Sequence, residues 1–276
     1  MISALNRLPN GNLELTLTIP WRRVQQAFDK TLAKLGQEVE IKGFRKGKAP
    51  RPLVAQKLDQ ELLLKEVLKE LLPEVYLEAV KEQSLHPIIN PQLKVLAHEK
   101  NKDWQIQALT CELPQIVVNK GYQTQIKKAL PTTKKAKLSE DEQMKQIFQA
   151  LIKIFPLKVP DILIQDEVNR MLSRLIDQTS RLGLTTEQYL SSVNKTAAQL
   201  RSEYQQQAEE LLKLEFILLA IADKEKISAT ENEVEKLIQA VPEDKSRKSL
   251  QTPEQKAYLR QLLRKRKVID KLRHLL

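Results

Sequence analysis

The stretch from Lys195 to Lys226 constrains the fold most: it reads as one uninterrupted helix, about 48 Å long at ~1.5 Å per residue. A helix of that length cannot sit inside a single compact ball, so it implies an extended or arm-bearing helical domain. Leu200, Tyr204, Ala208, Leu211 and Leu212 fall on one face, and Phe216 to Ala222 is apolar all round. For each of these residues core packing is the default and a partner-facing role the alternative, since a stripe alone does not say what covers it.

The neighbours of this helix are also helical. "SEDEQMKQIFQALIKIF" opens with a Ser139/Glu142 capping box and carries Met144, Ile147, Phe148, Leu151 and Ile152 on one face. Pro160 starts "PDILIQDEVNRMLSRLIDQTSRLG", and Gly183 stands where a helix ends in the left-handed conformation. Thr185–Val193, Glu231–Ala240 and Pro253–Leu276 complete the set. Aromatic residues at 4% and only six glycines agree with a mainly helical chain.

The N-terminal part follows another period. Leu5 to Ile19 reads as a hairpin around "PNGN", with Leu13, Leu15, Leu17 and Ile19 alternating. A helix is expected from Trp21 to Leu35, then a loop, "IKGFRKGKAP". After Pro52 comes a helical stretch to about Leu85, with Pro73 as its expected bend. Gln92–His98 and Trp104–Glu112 read as strands joined by "EKNKD". Strand pairs flanking helices make this a compact α+β domain. Residues 115–138, with Gly121 and Pro131, read as a lysine-rich connector with few core-quality positions.

The net charge of +11 is concentrated. Lys120, Lys127, Lys128, Lys134, Lys135 and Lys137 occupy 117–138 without an acid, and 245–276 carries eleven Lys/Arg against Glu254 and Asp270. A polyanionic partner is one reading of these stretches, and a solvated linker and tail the other. The single cysteine, Cys111, excludes an internal disulfide. The N-terminus has no apolar signal-peptide core, and the longest apolar run is far short of the ~20 residues that span a bilayer. A soluble, cytoplasmic protein without membrane partners is the expectation.

No catalytic constellation is expected. Gly43 and Gly47 are separated by three residues rather than four, and Ala49 stands where a phosphate-binding loop needs a hydroxyl. His86, His98 and His274 are scattered, so no metal or other cofactor is expected. The carboxylates lie among lysines on polar helix faces, where exposed i,i+4 pairing explains them.

The loop Gly43-Phe44-Arg45-Lys46-Gly47-Lys48-Ala49-Pro50 resembles the ribosome-binding signature of the trigger factor family, G-F-R-x-G-K-x-P, at every defined position. "VPDILIQDEVNRMLSRL", "GLTTEQYL" and "KTAAQLRSEYQQQAEELLKLEFILLAIADKEKI" are similar to the family's C-terminal domain. The resemblance implies three parts: a ribosome-binding α+β domain (1–115), the connector (116–138) and a helical chaperone domain with arms (139–276). It implies docking on the large ribosomal subunit, at an exit-tunnel protein and rRNA, through Gly43, Phe44, Arg45, Lys46, Gly47, Lys48 and Pro50. It also implies ATP-independent shielding of nascent polypeptides, with Phe148, Met171, Leu175, Tyr204, Leu211 and Phe216 as candidate client-facing residues, and leaves a homodimer off the ribosome open. The family's FKBP-like prolyl isomerase domain has no counterpart between the two parts, so no enzyme activity is expected. The alternative is a basic RNA-binding or ribosome-assembly factor acting away from the exit tunnel.

Overall fold

Alternation along the N-terminal hairpin decides the first unit. In the computed structural model, which describes residues 2–37, 44–45, 50–129 and 139–274, strand β1 (Ile2–Arg7) pairs with β2 (Leu13–Ile19). Gly11 makes the turn at φ +83°, a conformation that strains any residue with a Cβ. Leu13, Leu15, Leu17 and Ile19 are buried while the residues between them are half-exposed. β3 (Gln92–Ala97) and β4 (Trp104–Thr110) complete an antiparallel sheet of order β1-β2-β4-β3.

The apolar face of this sheet is covered by α1 (Trp21–Gly36) and α3 (Gln60–Glu82). Val24, Leu63, Val67, Leu71 and Val75 meet Ile106 and Trp104, and Phe28 lies edge-on to Trp104 with ring centroids 5.8 Å apart. Arg23 grips both carboxylate oxygens of Glu78, and Lys34 reaches Glu70 at 2.7 Å, tying α1 to α3 along their exposed side. The single helical stretch expected after Pro52 is two helices. α2 (Arg51–Lys57) ends at Leu58, which is extended, and the Asp59 side chain accepts from the Glu61 N–H at 2.9 Å to start α3. α3 then runs through Pro73.

In the second compact unit, Pro114–Leu276, every regular element among the described residues is a helix. Its core joins α4 (Tyr122–Ala129), α5 (Glu140–Ile154), the C-terminal part of α8 (Ala197–Lys224) and α11 (Pro253–Arg273). Ile126, Ile147, Ile217, Ile221 and Val268 are fully buried there. This corrects the core-poor connector. Val118 just before α4, and Tyr122 and Ile126 one turn apart on it, insert into that core, and the Tyr122 hydroxyl donates to Glu225 at 3.0 Å. Pro131 and Lys134, Lys135 and Lys137 lie outside the described residues.

α6 (Asp161–Arg181) packs along α8, with Arg201 donating to Gln165 at 2.8 Å. The short α7 (Thr186–Ser192) follows the turn at Gly183, whose φ is +72°. α9 (Glu231–Gln239) buries Val234 and Ile238 against Leu259 of α11, with α10 (Asp244–Ser249) between them in sequence. Ser139, Thr185, Thr196 and Thr230 each close a reciprocal capping box, so four helices have starts fixed within their own first turn.

Candidate functional site

The basic loop leaves α1 and re-enters at α2. A Cβ on Gly36 would sit 3.4 Å from Val54 Cγ1, and Val54 is buried. The end of α1 thus lies against α2 at ordinary contact distance, which brings the two feet of the loop together. Sequence reasoning passed over both residues. Pro50 is exposed and begins α2, its carbonyl accepting from the Leu53 and Val54 N–H groups at 3.0 and 3.2 Å. Phe44 is 43% exposed and Arg45 is exposed beside it. An apolar ring and a forked cation are therefore both presented to solvent. Gly43, Lys46, Gly47 and Lys48 lie outside the described residues.

The helical unit sorts its candidates by depth. Leu211 is half-exposed, whereas Met171, Leu175 and Tyr204 are half-buried. Burial pushes the Tyr204 hydroxyl above its ordinary pKa. Phe148 is partly buried against the main core. Phe216, at 9% exposure, is buried in the all-apolar segment of α8.

Other apolar side chains, not singled out from the sequence, are more open. Ile176, Leu182 and Leu184 surround the end of α6, with Leu182 at 76% exposure. Tyr258 and Leu262 stand one turn apart on α11, both exposed. The "LGL" at 182–184 was the available signal, because leucines on both sides of a helix-ending glycine lie past the reach of the helix's own packed stripe.

The basic C-terminal stretch is not a free tail. Lys256 and Arg260 reach Glu231 at 3.2 and 2.7 Å, Lys265 reaches Glu215 at 2.6 Å and Lys271 reaches Glu225 at 2.6 Å. Lys267 pairs with Glu233, Arg273 with Glu140, and Arg264 with Asp223. The charge of α11 is thus matched by acids on or beside α5, α8 and α9. Among the described residues Lys245, Lys248 and Arg266 have no ion-pair partner. On α6, Glu167 is buried and held by Arg170 at 2.9 Å and Arg174 at 2.8 Å. No described helix is long and apolar enough to cross a membrane.

These features define a class: a small α+β unit displaying a glycine-rich basic loop, followed by an all-α unit that leaves apolar side chains at its surface. Comparison with known proteins identifies the family. The profile "Bacterial trigger factor protein (TF)" matches residues 1–149, and "Bacterial trigger factor protein (TF) C-terminus" matches 120–273. The chain belongs to the bacterial trigger factor family. The trigger factors of Staphylococcus epidermidis (strain ATCC 12228) and Staphylococcus aureus (strain Newman) are each 32% identical over 137 residues. That alignment covers 50% of this chain and 30% of each relative, so the match spans less than a third of the curated relatives' length. A solved structure of the trigger factor chaperone, described for promiscuous substrate recognition in folding and assembly activities, has the same fold. It aligns at TM-score 0.67 with 15% identity and covers 99% of both chains.

Proposed function

We propose that this chain is an ATP-independent chaperone that docks on the large ribosomal subunit beside the polypeptide exit and shields apolar segments of nascent chains. The observation that carries this reading is the exposure of Phe44 and Arg45 within a complete family signature. Phe44 supplies an apolar anchor of the kind that dominates small interfaces, and Arg45 forks onto a carboxylate or phosphate. Gly43, Lys46, Gly47, Lys48 and Pro50 belong to the same docking loop. The client surface comprises Leu211, Met171, Leu175, Tyr204 and the outer edge of Phe148, joined by Ile176, Leu182 and Leu184. Dispersed apolar side chains of this type suit weak, adaptable capture of clients that must leave to fold.

The chain works without a prolyl isomerase domain in this proposal. Supporting it, residues leading out of the first unit go directly into α4, which is packed in the helical core. The reading as an RNA-binding factor is weakened by the ion pairs that occupy most cations of α11.

Co-sedimentation with purified ribosomes tests the docking role. Wild type should pellet, and Phe44→Ala/Arg45→Ala/Lys46→Ala should stay in the supernatant; equal pelleting would remove the loop from the interface. Suppression of aggregation of a chemically unfolded client, without nucleotide, tests the holdase role. Sedimentation of the free protein in the same series measures whether it dimerises away from the ribosome.

A further inference from the structure

The sheet of the first unit has two edges, and they are finished differently. β1 is tied to the end of α3: Ser3 Oγ donates to Glu82 at 2.8 Å, and Gln83 Nε2 donates to the Ser3 carbonyl at 3.3 Å. β3, at the other edge, pairs among the described residues only with β4. Leu93 and Val95 stand opposite Ala108 and Ile106, so all four side chains share the face on which the helices lie. Ala108 and Ile106 are fully buried, yet Leu93 and Val95 are 42% and 37% exposed. The helix layer stops one strand short of the sheet.

Where it stops, α3 and the lead into β3 frame an open cavity of about 460 Å³. Leu68, Leu72, Pro73, Leu77 and Leu93 contribute its apolar wall, and Lys69 is its one charged lining residue. On the opposite face of β3, Lys94 stands across from Gln107, and no described acid pairs with it. Pro91 precedes the strand, and a register shift interrupts it between Val95 and Ala97. Prolines and bulges are the devices that end strand pairing. Between them, Gln92–Val95 is a regular stretch with one unpaired side.

We infer that this edge accepts an extended segment of another protein as a fifth strand, one in which apolar and acidic residues alternate. A strand sends successive side chains to opposite faces. The apolar set of such a segment enters the cavity beside Leu77 and Leu93, while the acidic set lies beside Lys94 on the open face. A second copy of β3 is a poorer occupant, because it brings another lysine to the face that Lys94 holds. The site is in the first unit and uses neither the basic loop nor the helical surface, so it stands or falls separately from the proposed function.

The full chain and the fluorescein-labelled peptide Val-Glu-Leu-Glu-Val-Glu-Leu provide the test, read by anisotropy and by amide hydrogen exchange over residues 92–97. Saturable binding with slowed exchange in that stretch is expected. Replacing the peptide's glutamates by lysines, or N-methylating alternate backbone nitrogens, should weaken binding at least tenfold. Leu77→Ser/Leu93→Ser should do the same while leaving tryptophan fluorescence native. Lys94→Glu should shift the preference toward the lysine peptide, a reversal that misfolding does not produce. Equal binding of the acidic and basic peptides, or full binding by the double serine variant, overturns the inference. So does peptide-free protection of 92–97 that rises with protein concentration, which assigns the edge to a second copy.

Discussion

Glu233 illustrates how single carboxylates hold the last helices in place. Lys267 approaches its two oxygens at 2.7 and 2.8 Å, and the Thr230 N–H and hydroxyl donate to it at 2.8 and 3.1 Å. With Lys267 first and Thr230 next, its pKa falls from 4.5 to about 2. Glu225 and Glu231 move in the same direction beside Lys271 and Lys256. A carboxylate whose folded pKa is depressed stabilises the fold above its unfolded pKa and loses that contribution as pH falls through the folded value. The urea midpoint of the helical unit should therefore drop between pH 4.5 and about 2. The drop should be shallower in Glu233→Gln, and an unchanged profile would show that these contacts do not persist in solution. Phe44 and Arg45 present the opposite case, because both are exposed. Their alanine variants should leave stability within about 0.5 kcal/mol of wild type in chemical denaturation, so any loss of ribosome pelleting reports on contact rather than folding.

At the scale of elements, α4 separates a packed helix from a tether. Ile126 is fully buried, so Ile126→Ala should cost the helical unit about 2–5 kcal/mol, measured by urea unfolding. A tether would lose nothing. Gly183→Ala meets no neighbouring atom within 4 Å, yet φ is +72° there, so a cost of about 1 kcal/mol should come from backbone strain alone. The elements readable in the sequence were those with a strong period or a cap: the alternation of β2, the Ser139 box, and the close of α6 at Gly183. α4 was missed because its apolar positions are sparse among lysines, although Val118, Tyr122 and Ile126 have the helical spacing. The break between α2 and α3 was missed because one capping side chain, Asp59, decides it. Loop residues were legible as a motif, whereas client-facing residues were not. Phe216 and Leu211 look alike on a helical stripe, and only tertiary packing buries one and exposes the other.

For the whole molecule, the charge of the C-terminal stretch 245–276 is mostly spent internally. If all eleven cations of 245–276 were available to single-stranded RNA, binding would show a log–log salt slope near −8; the three without ion-pair partners give about −2. Filter binding across a salt series should therefore change slope by about 2 in Lys245→Ala/Lys248→Ala/Arg266→Ala; a much larger change would restore the polyanion-binding tail. The two units each have their own core, and both tryptophans, Trp21 and Trp104, belong to the first. In Ile126→Ala the unfolding midpoint followed by tryptophan fluorescence should hold while that followed by far-UV circular dichroism falls. The order of the sheet has a consequence for the protein's own birth. β2 is central, but one of its two partners, β4, is made only after most of the unit has been translated. Until Trp104–Thr110 emerges, the backbone edge of β2 that β4 will take has no strand partner. For that interval the newborn protein carries an unpaired strand edge, a hazard of the sort its mature form is proposed to guard against in others.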